Sequence, residues 1–151
     1  MVRVDALAIP VFREDGWLPV GHHQATWDEV AARFSGAPGS RRSYLTAKLL
    51  ELRDGLRRLG VTGVVLLNGS YISAKPEPAD FDVLFIAPLE IQAMKDASPA
   101  LATLLDAEQA EKVGGYSLFY IPSDSPALDR LSTLWDLSKE GIAKGVVQVH
   151  L

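Results

Sequence analysis

Residues 61–87, "VTGVVLLNGSYISAKPEPADFDVLFIA", decide how the rest of the chain is read. The stretch opens with "VTGVVLL" (61–67), a continuous β-branched and leucine run of the kind found in strands covered on both faces. It closes with "FDVLFIA" (81–87), a second such run that Pro88 stops. Between the two lie the pair Gly69-Ser70 and, nine residues further on, Asp80-Phe81-Asp82. Two carboxylates at the mouth of a buried strand cost stability unless something cationic satisfies them.

The spacing says what that cation is for. Residues i and i+2 of a strand project from one face, roughly 6.5–7 Å apart along the backbone. Asp80 and Asp82 are therefore expected side by side, with Phe81 turned into the core. Paired carboxylates suit a hard cation such as Mg²⁺, which keeps waters and substrate phosphates among its ligands. Gly69, with no Cβ, lets backbone approach a ligand closely where the first strand turns. Ser70 offers a hydroxyl and an N–H at the start of a short helical turn, whose free donors favour an anion. Lys75, in the loop between, is in reach of a phosphate as a point charge. Phosphate cradle and metal carboxylates thus come from consecutive strands, an arrangement suited to phosphoryl transfer.

Working outward, "TWDE" reads as a capping box, with Thr26 as N-cap and Glu29 reaching back, opening a helix that runs to about Phe34. After "SGAPGS", Ser40 caps a longer helix carrying Leu45, Leu49, Leu52, Leu56 and Leu59 as its core stripe, with Gly60 as the stop. Residues 1–25, rich in Pro, Gly and aromatics, read as a strap over the domain, anchored by Trp17. Beyond Pro88 helical sequence continues to about Lys112, split where Ser98 and Pro99 fit an N-cap and first helical position. "GYSLFYI" (115–121) reads as a third strand, residues 127–140 as a helix holding Trp135 in its core, and "GVVQVHL" (145–151) as a last strand open to edge pairing. The expectation is one α/β (α+β) domain over 1–151, a small mixed sheet of about four strands, with strap and helices 1–60 packed on a core 61–151.

Composition narrows the function. With no cysteine, disulfides, thiolate metal sites and cysteine nucleophiles are excluded. The longest apolar runs are far too short for a membrane span, and the start lacks the order of a signal peptide, so a cytoplasmic location is expected. A net charge of −4 speaks against general nucleic-acid binding. Neither a Gly-Lys-Ser/Thr phosphate loop nor G-x-G-x-x-G is present.

A hydrophobic strand, Gly69-Ser70, a short spacer and Asp80-Phe81-Asp82 together resemble the nucleotidyltransferase superfamily with the polymerase-β-like fold. The wider "GSYISAKPEPADFD", with "LPVGHH" upstream and "KGVVQVHL" at the end, is similar to a compact bacterial branch of it. The resemblance implies Mg²⁺-dependent transfer of a nucleoside monophosphate from a nucleoside triphosphate to a protein, RNA or small-molecule acceptor, with two Mg²⁺ ions. It also implies a third carboxylate on the neighbouring strand. "GYSLFYI" has none: Ser117 stands about where it is expected, and Asp124 would need its loop to fold back. The competing expectation is a catalytically degenerate fold kept as a nucleotide-binding or protein-interaction module. A partner protein, as in toxin–antitoxin pairs, enters by analogy of fold alone.

Other features invite plainer readings. His22 and His23 are adjacent, so their side chains diverge and do not share a metal. Arg41, Arg42, Arg53, Arg57 and Arg58 offer a basic face to RNA, but arginines opposite a leucine stripe are usually its solvated side.

Overall fold

The computed structural model describes residues 9–151, so the first eight residues of the expected strap lie outside it. In chain order the elements are β1 (Gly21–Gln24), α1 (Trp27–Phe34), α2 (Arg41–Arg58), β2 (Val64–Asn68), a 3₁₀ turn (Ser70–Ile72) and β3 (Asp82–Ala87). There follow α3 (Ile91–Ala97), α4 (Pro99–Leu104), α5 (Ala107–Gln109) running on into a wide turn (Ala110–Gly114), β4 (Ser117–Pro122), α6 (Leu128–Trp135) and β5 (Gly145–His150).

The helix starts follow their caps. Thr26 Oγ1 accepts from the Glu29 N–H while Glu29 Oε1 accepts from the Thr26 N–H, the reciprocal pair of a capping box. Ser40 and Ser98 accept from the N–H three residues on, and Pro99 begins α4. α2 ends at Gly60, whose φ of 76° releases the chain. The Leu45, Leu49, Leu52 and Leu56 stripe is buried, whereas Leu59, past the last turn, is 36% exposed.

The strands form one mixed sheet in the order β1-β5-β2-β3-β4. β2 runs antiparallel to both β5 and β3, while β1 is parallel to β5 and β3 to β4. There are five strands rather than four, because Gly21–Gln24 pairs along β5. "GHHQ" has no apolar strand signature; neighbouring backbone, not its own side chains, makes it a strand. That pairing corrects a second expectation. β5 lies inside the sheet between β1 and β2, and the edges are β1 and β4.

Alternation along the strands gives the sheet two covered faces. Val65, Leu67, Val83, Phe85, Leu118, Val147 and Val149 face the main core with α1 to α4. Leu66, Leu84, Ile121 and Val146 face the other way, under Leu128, Leu131 and Trp135 of α6. α6 stops at Trp135, short of the expected Glu140, because the chain there folds into a tight return held by Leu137 opposite Ala143 and by the Ser138 N–H donating to the Ile142 carbonyl. Trp135 is half-buried against the edge of Phe119 (centroids 5.9 Å apart) rather than central to the core.

Candidate functional site

Asn68, Asp82 and Ser117 are Cα partners across β2, β3 and β4, so they form a row at one end of the sheet. By alternation they stand on the α6 face, while Phe81, fully buried, turns to the main core and stacks on Tyr116 at 4.7 Å. Above this row opens a cavity of about 760 Å³. Gly69, Ser70, Lys75, Asp80 and Asp82 all line it, so the structure brings every sequence-derived site residue to one place. Asp80 departs from the expected geometry in one respect: β3 begins at Asp82, and Asp80 reaches the cavity from the loop before it.

Each part has a local cause. Gly69 has φ of 89°, and a Cβ there would stand 2.7 Å from Asp82 Oδ2. No other residue type lets the turn lie against that carboxylate. Ser70 is set by the two residues after it: Tyr71 and Ile72 are buried, and Tyr71 packs between Phe34 and Phe81 with its hydroxyl 2.6 Å from Thr46 Oγ1. Beyond the turn, Ser73 Oγ donates to the Ser70 carbonyl at 2.6 Å. Arg42 then holds the loop, donating to the carbonyls of Tyr71, Ser73 and Lys75 at 2.6 Å each. Arg41 donates likewise to the carbonyls of Pro78 and Ala79, just ahead of Asp80. Lys75 itself is exposed at the cavity rim.

These contacts refine the reading of the basic helix. Arg41 is exposed, on the solvated side as expected, and Arg42 is partly buried; both also clamp the two site loops. Arg53 pairs with Asp54 and lies over Trp27. His22 and His23 diverge as expected, His22 to Asp136 (2.9 Å) and His23 to the Pro19 carbonyl (2.6 Å).

Sequence reasoning missed three contributors. Lys144, the residue before β5, is 2% exposed and lines the cavity. Its ammonium donates to Asn68 Oδ1 and lies 5.2 Å from the Trp17 ring centroid. The buried Asn68 carboxamide is fixed at its other end, donating from Nδ2 to the Trp135 carbonyl at 2.8 Å. Lys139, in the return after α6, completes this wall. A lysine standing immediately before an apolar strand and an asparagine before Gly-Ser were weak signals, since neither says which way its side chain faces.

The charges are poised against one another. Burial, and after it the neighbouring Asp80 carboxylate, pushes the Asp82 carboxyl above the usual carboxylate range. The neighbouring Ser117 hydroxyl and the positive charges of Lys144 and Lys139 oppose that rise. Burial lowers the Lys144 ammonium to about 8, with Asp82 and then Asp136 pulling it back up. The third-acid question also has a geometric answer. Ser117 is the direct neighbour of Asp82, whereas Asp124 lies beyond the far end of β4, roughly 20 Å away at the rise of a strand.

The donors fit a hard cation in part. Asp80 and Asp82 are the carboxylate set from which Mg²⁺ takes one or two ligands beside phosphate oxygens and water. Among the described residues no three His, Cys, Asp or Glu side chains gather as a metal site.

A family comparison covers nearly the whole of this architecture, matching residues 10–150. The chain belongs to the DUF6932 family. That family is described as one of unknown function, and its match spans the strap from residue 10 onward, the sheet and every cavity residue named above. No curated protein and no solved structure matches the chain. No helix among the described residues is long and apolar enough to cross a membrane.

Proposed function

We propose that this DUF6932 protein is a minimal nucleotidyltransferase-like protein that binds a nucleoside triphosphate with Mg²⁺ and transfers the nucleoside monophosphate to an acceptor. One observation carries the reading: the Gly69-Ser70 turn lies directly against Asp82, in a single cavity that Asp80 also lines. A phosphate chain seated on that turn would lie beside both carboxylates. Mg²⁺ held by Asp80 and Asp82 would supply charge neutralisation on the phosphates there. The chain's own part is positioning: Arg41 and Arg42 fix the loops, Tyr71 plugs the turn into the core, and Asn68 and Lys144 form the floor. Such a rigid frame aligns an acceptor oxygen with the α-phosphorus at little entropic cost. A cavity of about 760 Å³ has room for a nucleotide. The acceptor, in this reading a protein, an RNA or another small molecule in the cytoplasm, would approach from the open side, with a partner protein completing the site.

A second reading is favoured by Ser117. With an alcohol where the resemblance implies a carboxylate, the same cavity serves a nucleotide-binding or protein-interaction module without turnover, as one half of a toxin–antitoxin-like pair would need.

The test is thermal stability with each nucleoside triphosphate, with and without Mg²⁺, for wild type and Asp80→Ala/Asp82→Ala. At a hundredfold excess over Kd, binding adds about 2.7 kcal/mol to stability. A Mg²⁺-dependent rise that disappears in the double variant is expected. No rise with any nucleotide in wild type would sink the reading. Release of pyrophosphate in the presence of candidate acceptors then separates the enzyme from the module.

A further inference from the structure

We infer that Lys144 is the second cation of this site: its ammonium, rather than a second divalent ion, neutralises the phosphate chain beside Asp82. The inference rests on the nucleotide reading above and concerns how the cavity holds its anion.

The row Asn68–Asp82–Ser117 sets up the argument. The place beside Asp82 on β4 holds a hydroxyl, which does not replace a carboxylate as an anionic ligand, and Asp124 is out of reach at the other end of the strand. Asp80 and Asp82 therefore suffice to share one ion with a phosphate; Glu14, Asp15 and Glu140 also line the cavity, but among the described residues no three such side chains gather as a metal site. On the opposite side of Asp82, reached through Asn68, stands Lys144. Its place is fixed from several directions. The backbone N–H donates to the Asp136 carbonyl at 2.9 Å, the ammonium to Asn68 Oδ1, and the Trp17 ring lies over it at 5.2 Å.

An ammonium carries three donors. One goes to Asn68, an uncharged acceptor; Asp82 and Asp136 act on the ammonium without pairing with it directly, and a charge buried to 2% exposure is costly unless a ligand supplies an anion. Asp136 is engaged by His22, and Asp82 shares the cavity with Asp80. Lys144 lines the same cavity as the Gly69-Ser70 turn, next to which its partner Asn68 stands in the chain. An oxyanion between them would meet ammonium on one side and the turn's hydroxyl and backbone on the other. Polyphosphate is the ligand class that spans such a gap and still reaches the carboxylate pair through Mg²⁺. A purely structural Lys144, serving as counter-ion to Asp82, would leave phosphate affinity untouched when replaced.

The probe is inorganic tripolyphosphate, titrated calorimetrically in EDTA into wild type and Lys144→Met, a variant that keeps the length of the stem. Wild type is expected to bind without metal, and the variant roughly 10- to 100-fold more weakly, the scale of a lost charged hydrogen bond. In parallel, Mn²⁺ bound in the presence of saturating triphosphate is counted by electron paramagnetic resonance. One ion per chain is expected. Two ions per wild-type chain, or equal tripolyphosphate affinity in both proteins, overturns the inference. Should Lys144→Met fail to fold, the ion count on wild type decides alone. If Mg²⁺-nucleotide stabilises wild type and depends on Asp80 and Asp82, yet Lys144→Met binds unchanged, this inference falls and the nucleotide reading stands. If wild type takes up neither tripolyphosphate nor any nucleotide, with or without Mg²⁺, both fall.

Discussion

At Gly69 a single missing methyl group sets the distance between the turn and the Asp82 carboxylate. Replacing it by alanine would put a Cβ 2.7 Å from Oδ2 in a backbone conformation with φ of 89°. Gly69→Ala is expected to cost roughly 1–3 kcal/mol, from strain and displacement together. Urea denaturation measures that loss, and a variant as stable as wild type would contradict the close contact. Lys144 gives a second prediction with a definite sign. Its folded value of about 8 lies below the ordinary 10.5, so between those pH values the unfolded chain holds a proton that the folded chain has released. Unfolding then takes up protons, and stability rises with pH across that window. Wild type should therefore gain on Lys144→Met as pH goes from about 8 towards 10.5, in urea denaturation at a series of pH values. A flat or falling difference would mean the ammonium is not buried as described.

Among the elements, the loop between β2 and β3 is held by a helix that the sequence presents as a scaffold. Arg42 donates to the carbonyls of Tyr71, Ser73 and Lys75, so Arg42→Met leaves several acceptors without their charged donor. A loss of roughly 2–4 kcal/mol is expected, with nucleotide-induced stabilisation weakened as the Ser70 turn loosens. A chemical-denaturation curve and the thermal-shift assay read the two effects separately. This clamp also marks where sequence reading runs out. The strands around Gly69-Ser70 and Asp80, the capped helix starts and the leucine stripe were legible because each is written in local spacing and chemistry. The contributions of Arg42, Asn68 and Lys144 were not, because they depend on which residues meet after folding. Lys144 meets Asn68 across 76 positions of chain, a separation that no periodicity encodes. β1 escaped notice for the same reason: "GHHQ" is a strand by virtue of β5. The end of α6 was overrun because Leu137 reads as one more helical apolar position until its pairing with Ala143 is known.

Taken as a molecule, the protein gathers its cavity from four pieces: residues 14–17 of the strap, the β2–β3 connection, Ser117 at the start of β4, and the return from α6 to Lys144. β5 binds them together from the middle of the sheet, and Gly145 lets the strap cross it so closely that a Cβ there would meet the Pro19 carbonyl at 2.1 Å. Interior strands open only when the whole domain does, while edge strands fray. Amide exchange at Val147 and Val149 should therefore report the global unfolding free energy, and exchange in β1 should be faster. Equal, fast exchange in both strands would show that β5 is not the sheet's central tie.

The order in which ribosomes deliver these pieces has its own consequence. Lys144 leaves the tunnel sixty-two residues after Asp82, just ahead of a strand that must insert between two others already made. Until then the carboxylates have no cationic floor beside them, and Asn68 lacks the lysine it accepts from. A growing chain thus carries the Gly69-Ser70 turn and both carboxylates well before the lysine that lines the same cavity. The cavity takes its full form only after β5 has left the tunnel and found its place in the sheet.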